Sequence, residues 1–203
     1  MKGDTLSQLI VPGFLLLLSV LFSSQADAQV QPDNPFPRVV FVTSAGDITV
    51  ELNREAAPLT VKNFFRYVKK ASYNDTIFHR LVPDFVIQGG GYDQAFNAKA
   101  SYGEIVNEAG NGLLNHYGTV AMARQREPHS ATRQFFFNLN DNPSLNPDNG
   151  DWGYTVFGRV VAGIEVLEQL ATLESLPYDE KTGWRDVPAN PPVLKRIDVV
   201  PAN

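Results

Sequence analysis

The sequence contains no cysteine among its 203 residues. This absence excludes a disulfide framework, a thiolate metal site, a cysteine nucleophile and a lipid-modified N-terminal cysteine. Histidine is scarce, and His79, His116 and His129 lack the spacing of a metal site such as His-x-x-x-His. The order of residues around His129 does not indicate a hydrolase triad either. The sequence therefore predicts no metal site and no cofactor.

A large excess of charge of one sign is also absent, because the formal net charge is only −5. Loss of Lys2, Asp4 and Asp27 with the first 28 residues would change it to −4. A mildly acidic chain has no electrostatic reason to bind nucleic acid or an anionic membrane. Neither is predicted as a partner.

Long apolar runs are absent after residue 28, but one lies before it, at residues 9–22. A single lysine precedes the run, and Ala26-Asp27-Ala28 follows it with the small residues of a cleavage site. The run is short for a bilayer span and contains Pro12. We interpret residues 1–28 as a secretory signal peptide cleaved after Ala28 rather than as a retained anchor, and we expect no membrane association after cleavage.

The remaining chain alternates apolar and polar residues in a way that predicts a mainly β fold. Residues 29–37 are interpreted as a short linker and residues 38–200 as one domain. Periodicity predicts helices over 58–71 and 164–171, and strands over 38–43, 47–52, 78–82, 85–88, 119–123, 135–139, 154–160 and 193–200. The strands show no βαβ alternation, and closing their sheet would remove exposed edges. Periodicity alone therefore predicts a small all-β barrel or sandwich with two helices.

Residues 78–91 carry the most informative local pattern. Arg80 and Gln88 stand among aromatic and β-branched residues, and three glycines follow. Strand alternation predicts that Phe78, Arg80 and Val82 point the same way from the first strand, and that Val86 and Gln88 point together from the next. The arginine and glutamine would then converge on an apolar patch without an acid, thiol or metal ligand. Such a site suits a reaction that needs binding, orientation and a hydrogen bond, and the glycines predict backbone clearance near a ligand.

This pattern resembles the signature of the cyclophilin family of peptidyl-prolyl isomerases. Residues 118–124, 134–138 and 154–160 resemble further family segments in the family's order, and the resemblance covers residues 38–200. It implies a closed eight-stranded antiparallel barrel capped by two α-helices. It also implies rotation about X-Pro bonds in unfolded or partly folded polypeptides.

The resemblance implies roles for particular side chains. Arg80 would be catalytic, because its guanidinium could hold the proline carbonyl and help the developing lone pair on nitrogen. Gln88 would orient Arg80 or bind the substrate backbone. The implied substrate-binding residues are Phe85, Val86, Met122, Ala123, Arg124, Gln134, Phe136, Leu145 and Tyr154. The alternatives are a surface salt bridge for Arg80, a structural role for Gln88 and core packing for the apolar residues.

The chain departs from the common family pattern at several positions. Val86 replaces a frequent methionine, Arg124 an asparagine and Ser144 a tryptophan. Because that tryptophan helps to bind cyclosporin in the family, we expect weak cyclosporin binding. Tyr154 stands where better-known eukaryotic members carry histidine, which resembles the bacterial periplasmic branch.

Two hypotheses from different classes follow. The first is a periplasmic isomerase that acts on folding exported proteins, with a monomer as the default state. The second is a non-catalytic module or chaperone that grips proline segments in the same groove. A more distant alternative is a barrel that holds a small ligand. Substitution of Arg80 separates the first two, because an isomerase would lose rate far more than affinity.

Overall fold

The computed structural model describes residues 31–148 and 150–202. The predicted signal peptide lies outside these residues. The described elements, in chain order, are β1 Arg38–Thr43, β2 Asp47–Leu52, α1 Pro58–Lys69, β3 Thr76–Val82, β4 Val86–Asp93, β5 Thr119–Met122, β6 Phe135–Asn138, β7 Val156–Ala162, α2 Ile164–Ala171, β8 Ser175–Leu176, β9 Val187–Pro188 and β10 Val193–Val199. No helix within the described ranges is long and apolar enough to cross a membrane.

Eight of these strands form a closed antiparallel barrel in the order β1-β10-β3-β4-β6-β5-β7-β2. The predicted barrel with two helices is therefore confirmed. The predicted element bounds are nearly right, although β4 continues through the three glycines to Asp93. β8 and β9, which form a separate two-stranded ribbon, are missing from the prediction. Strands of two residues are too short to show alternation.

Aromatic rings fill the inside of the barrel. Phe41 lies 5.3 Å, between ring centroids, from both Phe135 and Phe137, and Phe64 of α1 lies 5.5 Å from Phe157. Their edge-on and tilted arrangements are those that aromatic pairs favour. A lumen filled in this way argues against a barrel that encloses a small ligand.

Both helices pack one apolar face on the barrel. Pro58 begins α1, and the backbone N–H groups of Leu59 and Thr60 donate to the carboxylate of Glu108 at 3.1 and 2.8 Å. This distant carboxylate satisfies donors that a helix leaves free at its N-terminus. In α2 the buried residues are Leu167 and Leu170.

Candidate active site

A bulge in β3 directs Arg80 out of the barrel. Phe78 is paired with Gly89 and Arg80 with Gln88, so two steps on β3 match one step on β4. Phe78 is fully buried in the barrel core, whereas Arg80 is half-buried and lines an outer cavity. The prediction that Phe78 and Arg80 share a face is therefore wrong, because one extra residue reverses the side of every residue beyond it.

The regular part of β4 places two predicted residues together. Val86 and Gln88 both line the outer cavity, while Ile87 between them is buried in the barrel core. This alternation is as predicted. The Gln88 Nε2 donates a hydrogen bond of 2.7 Å to Gln134 Oε1, which brings the two predicted glutamines side by side.

The three glycines provide space for side chains of the protein itself. A Cβ on Gly89 would lie 2.8 Å from the Phe78 ring, and one on Gly90 would lie 2.7 Å from the Phe135 ring. At Gly91 a Cβ would meet Gln134 at 2.6 Å. The run was predicted to leave space for a ligand, but it leaves space for core rings and for the glutamine beside the cavity.

The outer cavity has a volume of about 220 Å³ and an apolar floor. Its lining residues are Arg80, Phe85, Val86, Gln88, Ala123, Arg124, Phe136, Leu145 and Tyr154. A second recess of about 220 Å³ adjoins it and shares Gln88, Ala123 and Arg124 with it; Gln134 lines this recess. The structure thus brings together ten of the predicted site residues in two adjacent hollows.

Met122 is the predicted site residue that lies elsewhere. It is 1% exposed and packs in the barrel core, as does Val120, two residues earlier on β5. Between them Ala121 faces the other way and joins Val156 in the small cluster beneath the cavity. The side chain of Met122 therefore does not line the cavity. Ala121 and Val156 were not predicted, although alternation along β5 identifies Ala121 as a residue that faces the cavity.

The side chain of Arg124 is occupied within the protein. Its Nε donates to the Gly153 carbonyl at 2.9 Å, its Nη2 lies 3.3 Å from an Asp151 carboxylate oxygen, and its Cζ lies 4.5 Å from the Tyr154 ring centroid. These contacts hold the loop that leads into Tyr154. Arg124 is a predicted substrate-binding residue, and because its guanidinium donors are directed to this loop, a substrate contact would have to come from the backbone of residues 123–124.

Arg80 has a partner that the sequence did not reveal. Its Nη2 lies 3.4 Å from Asp186 Oδ2, and the two side chains are 38% and 36% exposed. A pair of this length and exposure contributes little to stability. Arg80 thus combines the salt bridge considered as an alternative with the predicted place at the cavity.

His79 is buried beside the arginine. Its ring centroid lies 4.8 Å from that of Tyr92 and 6.0 Å from that of Trp184. Burial lowers the pKa of the His79 imidazole to about 4, and the charge of Arg80 adds to this effect. His79 is therefore neutral at pH 7. Within the part of the chain that the structure describes, no three His, Asp or Glu residues are grouped so that they could hold a metal ion.

The family model for cyclophilin type peptidyl-prolyl cis-trans isomerase/CLD matches residues 38–199. The chain belongs to the cyclophilin family. This cyclophilin is accordingly a peptidyl-prolyl cis-trans isomerase, as the sequence predicts.

Curated and solved relatives agree with this assignment. This cyclophilin is 46% identical to peptidyl-prolyl cis-trans isomerase cyp18 of Streptomyces antibioticus, over 78% of this chain and 95% of the relative. It is 39% identical to peptidyl-prolyl cis-trans isomerase A of Dickeya dadantii, over 96% of this chain and 99% of the relative. The crystal structure of a cyclophilin type isomerase of Cryptosporidium parvum superposes with a TM-score of 0.67 at 26% identity, covering 83% of this chain and 99% of that one.

Proposed function

We propose that Arg80 stabilises the twisted X-Pro bond of a substrate held in the outer cavity, without a covalent intermediate. Rotation about this bond breaks amide resonance, and the general barrier is about 18–20 kcal/mol. In the twisted state the proline nitrogen regains a lone pair that can accept a hydrogen bond. Only contacts that improve in this state raise the rate.

Each part of the site has a task in this proposal. The apolar side chains of Val86, Phe136 and Leu145 take the proline ring. Arg80 holds the proline carbonyl and donates toward the nitrogen as the bond twists. Gln88, paired with Gln134, orients the neighbouring substrate backbone.

The observation that carries the proposal is a permanently charged donor, Arg80, beside the apolar floor of the outer cavity. Among the described residues that line this cavity, none is an acid, a serine, a threonine or a histidine. The lining thus offers binding and hydrogen bonding rather than a nucleophile with its base. An X-Pro rotation needs no bond to be made or broken, so this set of residues suffices for it.

The test is exchange between cis and trans forms of a short Ala-Pro peptide, followed by NMR. We expect Arg80→Ala to lower kcat/KM by about a hundredfold or more, while peptide affinity changes little. Arg196→Ala is the matched control, because Arg196 is exposed on β10 and paired with Asp198. If the unsubstituted protein binds the peptide without accelerating exchange, the catalytic proposal fails and a proline-binding module or chaperone remains.

We further propose that the protein acts in the periplasm on exported polypeptides that are still folding. The apolar run at residues 9–22 and the small residues of Ala26-Asp27-Ala28 support this location. Mass spectrometry of the protein from a periplasmic fraction should give a chain that begins at Gln29. A chain that retains residues 1–28, or one that stays with the cytoplasm, would contradict the proposal.

The third proposal concerns oligomeric state and inhibition. We expect a monomer in solution. We also expect weak inhibition by cyclosporin, because the small exposed Ser144 stands next to Leu145 of the cavity. Ser144→Trp should tighten inhibition by adding an aromatic surface at the edge of the cavity. Equal inhibition of both proteins would show that position 144 is not the cause, and sedimentation would test the monomer.

A further inference from the structure

We propose that Asp186 is a positioning residue for Arg80. The inference rests on the proposed catalytic role of Arg80 and adds a residue that controls it. The Asp186 carboxylate lies 3.4 Å from one terminal nitrogen of the guanidinium. Asp186 itself does not line the cavity, so it acts through the arginine rather than on the substrate.

The backbone around Asp186 is fixed to the strand that carries Arg80. The N–H of Leu81, the next residue after Arg80, donates to the Asp186 carbonyl at 2.7 Å. The Leu81 carbonyl accepts a hydrogen bond of 2.6 Å from Ser175 Oγ. Ser175 and Asp186 both belong to the connection between α2 and β10, residues 172–192. Pairing of β8 with β9 joins the two ends of this connection, with Ser175 opposite Pro188. The connection thus binds both backbone polar groups of Leu81.

The residue before Arg80 is held by the same connection. Trp184 packs with its ring centroid 4.6 Å from that of Tyr92 and 6.0 Å from that of His79. This contact lies at the bulge, where the pairing of β3 with β4 is irregular. The next barrel strand, β10, pairs with β3 only at Thr76 and Ile77. β4 pairs with Arg80 and Leu81 on one side, and on the opposite side residues 79–81 are held by the connection instead of by β10.

The conformation of Asp186 is unusual and makes a clean substitution available. Its φ is 58°, in the left-handed region that most residues avoid. Aspartate and asparagine tolerate this region better than other non-glycine residues. Asp186→Asn therefore keeps the backbone and the shape of the side chain, and removes only the charge.

A charged acceptor at one end of the guanidinium restricts its orientation before the substrate arrives. Arginine has several rotatable bonds, and fixing them during the reaction would cost conformational entropy. With one Nη2 donor directed to Asp186, the other donors remain for the proline carbonyl and nitrogen. Donors that are already oriented lower the barrier without further reorganisation.

The experiment measures kcat and KM of Asp186→Asn with an uncharged Ala-Pro peptide. We expect kcat to fall about two- to fivefold, the range that exposed ion pairs give, with KM and the melting temperature unchanged. Asp198→Asn is the matched control, because it breaks the similarly exposed Arg196 pair on β10 and should leave kcat unchanged. High salt should lower kcat of the unsubstituted protein toward that of Asp186→Asn, since salt screens exposed charges.

A double-substitution cycle tests whether the effect passes through Arg80. In an Arg80→Lys background, Asp186→Asn should change kcat by less than in the unsubstituted protein. An unchanged or higher kcat in Asp186→Asn, or an equal effect in the Arg80→Lys background, would overturn the positioning role. A fully active Arg80→Ala protein would overturn the proposed function and this inference together. Loss of activity in Arg80→Ala with an unaffected Asp186→Asn would overturn this inference alone.

Discussion

At the scale of single residues, the neutral state of His79 links stability to pH. Burial holds its pKa near 4, below the ordinary value of 6.5 that applies in the unfolded chain. Between these values the unfolded chain binds a proton that the folded protein does not. The free energy of unfolding is therefore not reduced by His79 above about pH 6.5, and it decreases as pH falls from there toward 4.

We expect the free energy of unfolding to fall by about 2 kcal/mol between pH 7 and pH 5 because of this histidine. His79→Phe keeps a ring against Tyr92 and Trp184 and should remove most of that slope. Denaturant unfolding at several pH values measures it, and His116→Phe serves as the exposed control. The same slope with and without His79 would contradict the assignment.

Arg133 is a second buried side chain, and its role is structural. Only 2% of it is exposed, and its guanidinium donates to the carbonyls of Gly90, Ala100 and Ser72. These acceptors belong to β4, to the loop after β4 and to the α1–β3 connection. One side chain thus joins three segments that lie 33 to 61 residues before it in sequence.

Arg133→Met should lower the free energy of unfolding by about 2–4 kcal/mol, because it leaves buried carbonyls without donors. Arg66→Met is the control, since the Arg66 guanidinium lies 4.1 Å from the Tyr102 ring centroid on an exposed face of α1 and should cost less than about 1 kcal/mol. Calorimetry or denaturant unfolding compares the two. Equal losses would show that the three buried acceptors find other donors.

These residues also mark what the sequence could reveal at this scale. Val86 and Gln88 were predicted to share a face because regular strand alternation places them there. Asp186 and Arg133 were not predicted, since their partners lie 106 and up to 61 residues away in sequence. A single polar residue in an irregular segment carries no periodic signal that would identify such a partner.

At the scale of elements, one glycine fixes the start of α2. Gly163 has a φ of 79°, and a Cβ there would lie 2.2 Å from the Asp47 carbonyl oxygen. Other residues are strained in this conformation, and the backbone of the β1–β2 hairpin leaves no space for a side chain. The turn from β7 into α2 therefore requires glycine for two independent reasons.

Gly163→Ala should destabilise the protein by about 1–3 kcal/mol from backbone strain, with the steric contact adding to that loss. Gly110→Ala is the matched control, because a Cβ at Gly110 would meet nothing within 4 Å. Melting temperatures of the two variants give the comparison. An equally small shift in both would mean that Asp47 moves away without cost.

Elements were predictable where their pattern was long and regular. The strands and helices with clear periodicity were predicted within a few residues of their observed bounds. The bulge between Phe78 and Arg80 was not, because an inserted residue leaves the composition of a strand unchanged. Because of this bulge, Arg80 points to the opposite side of the sheet from Phe78, contrary to the prediction. Arg80 nevertheless lines the cavity beside Gln88, as predicted.

At the scale of the whole molecule, the barrel closes unevenly. β1 pairs with β2 at five positions from Arg38 to Val42, whereas β10 pairs with β3 only at Thr76 and Ile77. Beyond these two residues the connection before β10 continues the contact, with the Phe78 N–H donating to the Pro192 carbonyl and the Leu81 N–H to the Asp186 carbonyl. The irregular side of the barrel thus lies next to Arg80.

Amide hydrogen exchange should reveal this difference. We expect the N–H groups of Phe78 and Leu81 to exchange through local opening of the connection, at a lower free energy than those of Phe41 and Val50 in the regular β1–β2 pair. Because opening releases the Asp186 carbonyl from Leu81, it should also free the orientation of Arg80. Asp186→Asn keeps that backbone hydrogen bond and should leave the exchange of Leu81 unchanged while kcat falls. Equal protection at all four amides would show that the connection opens only with the whole barrel.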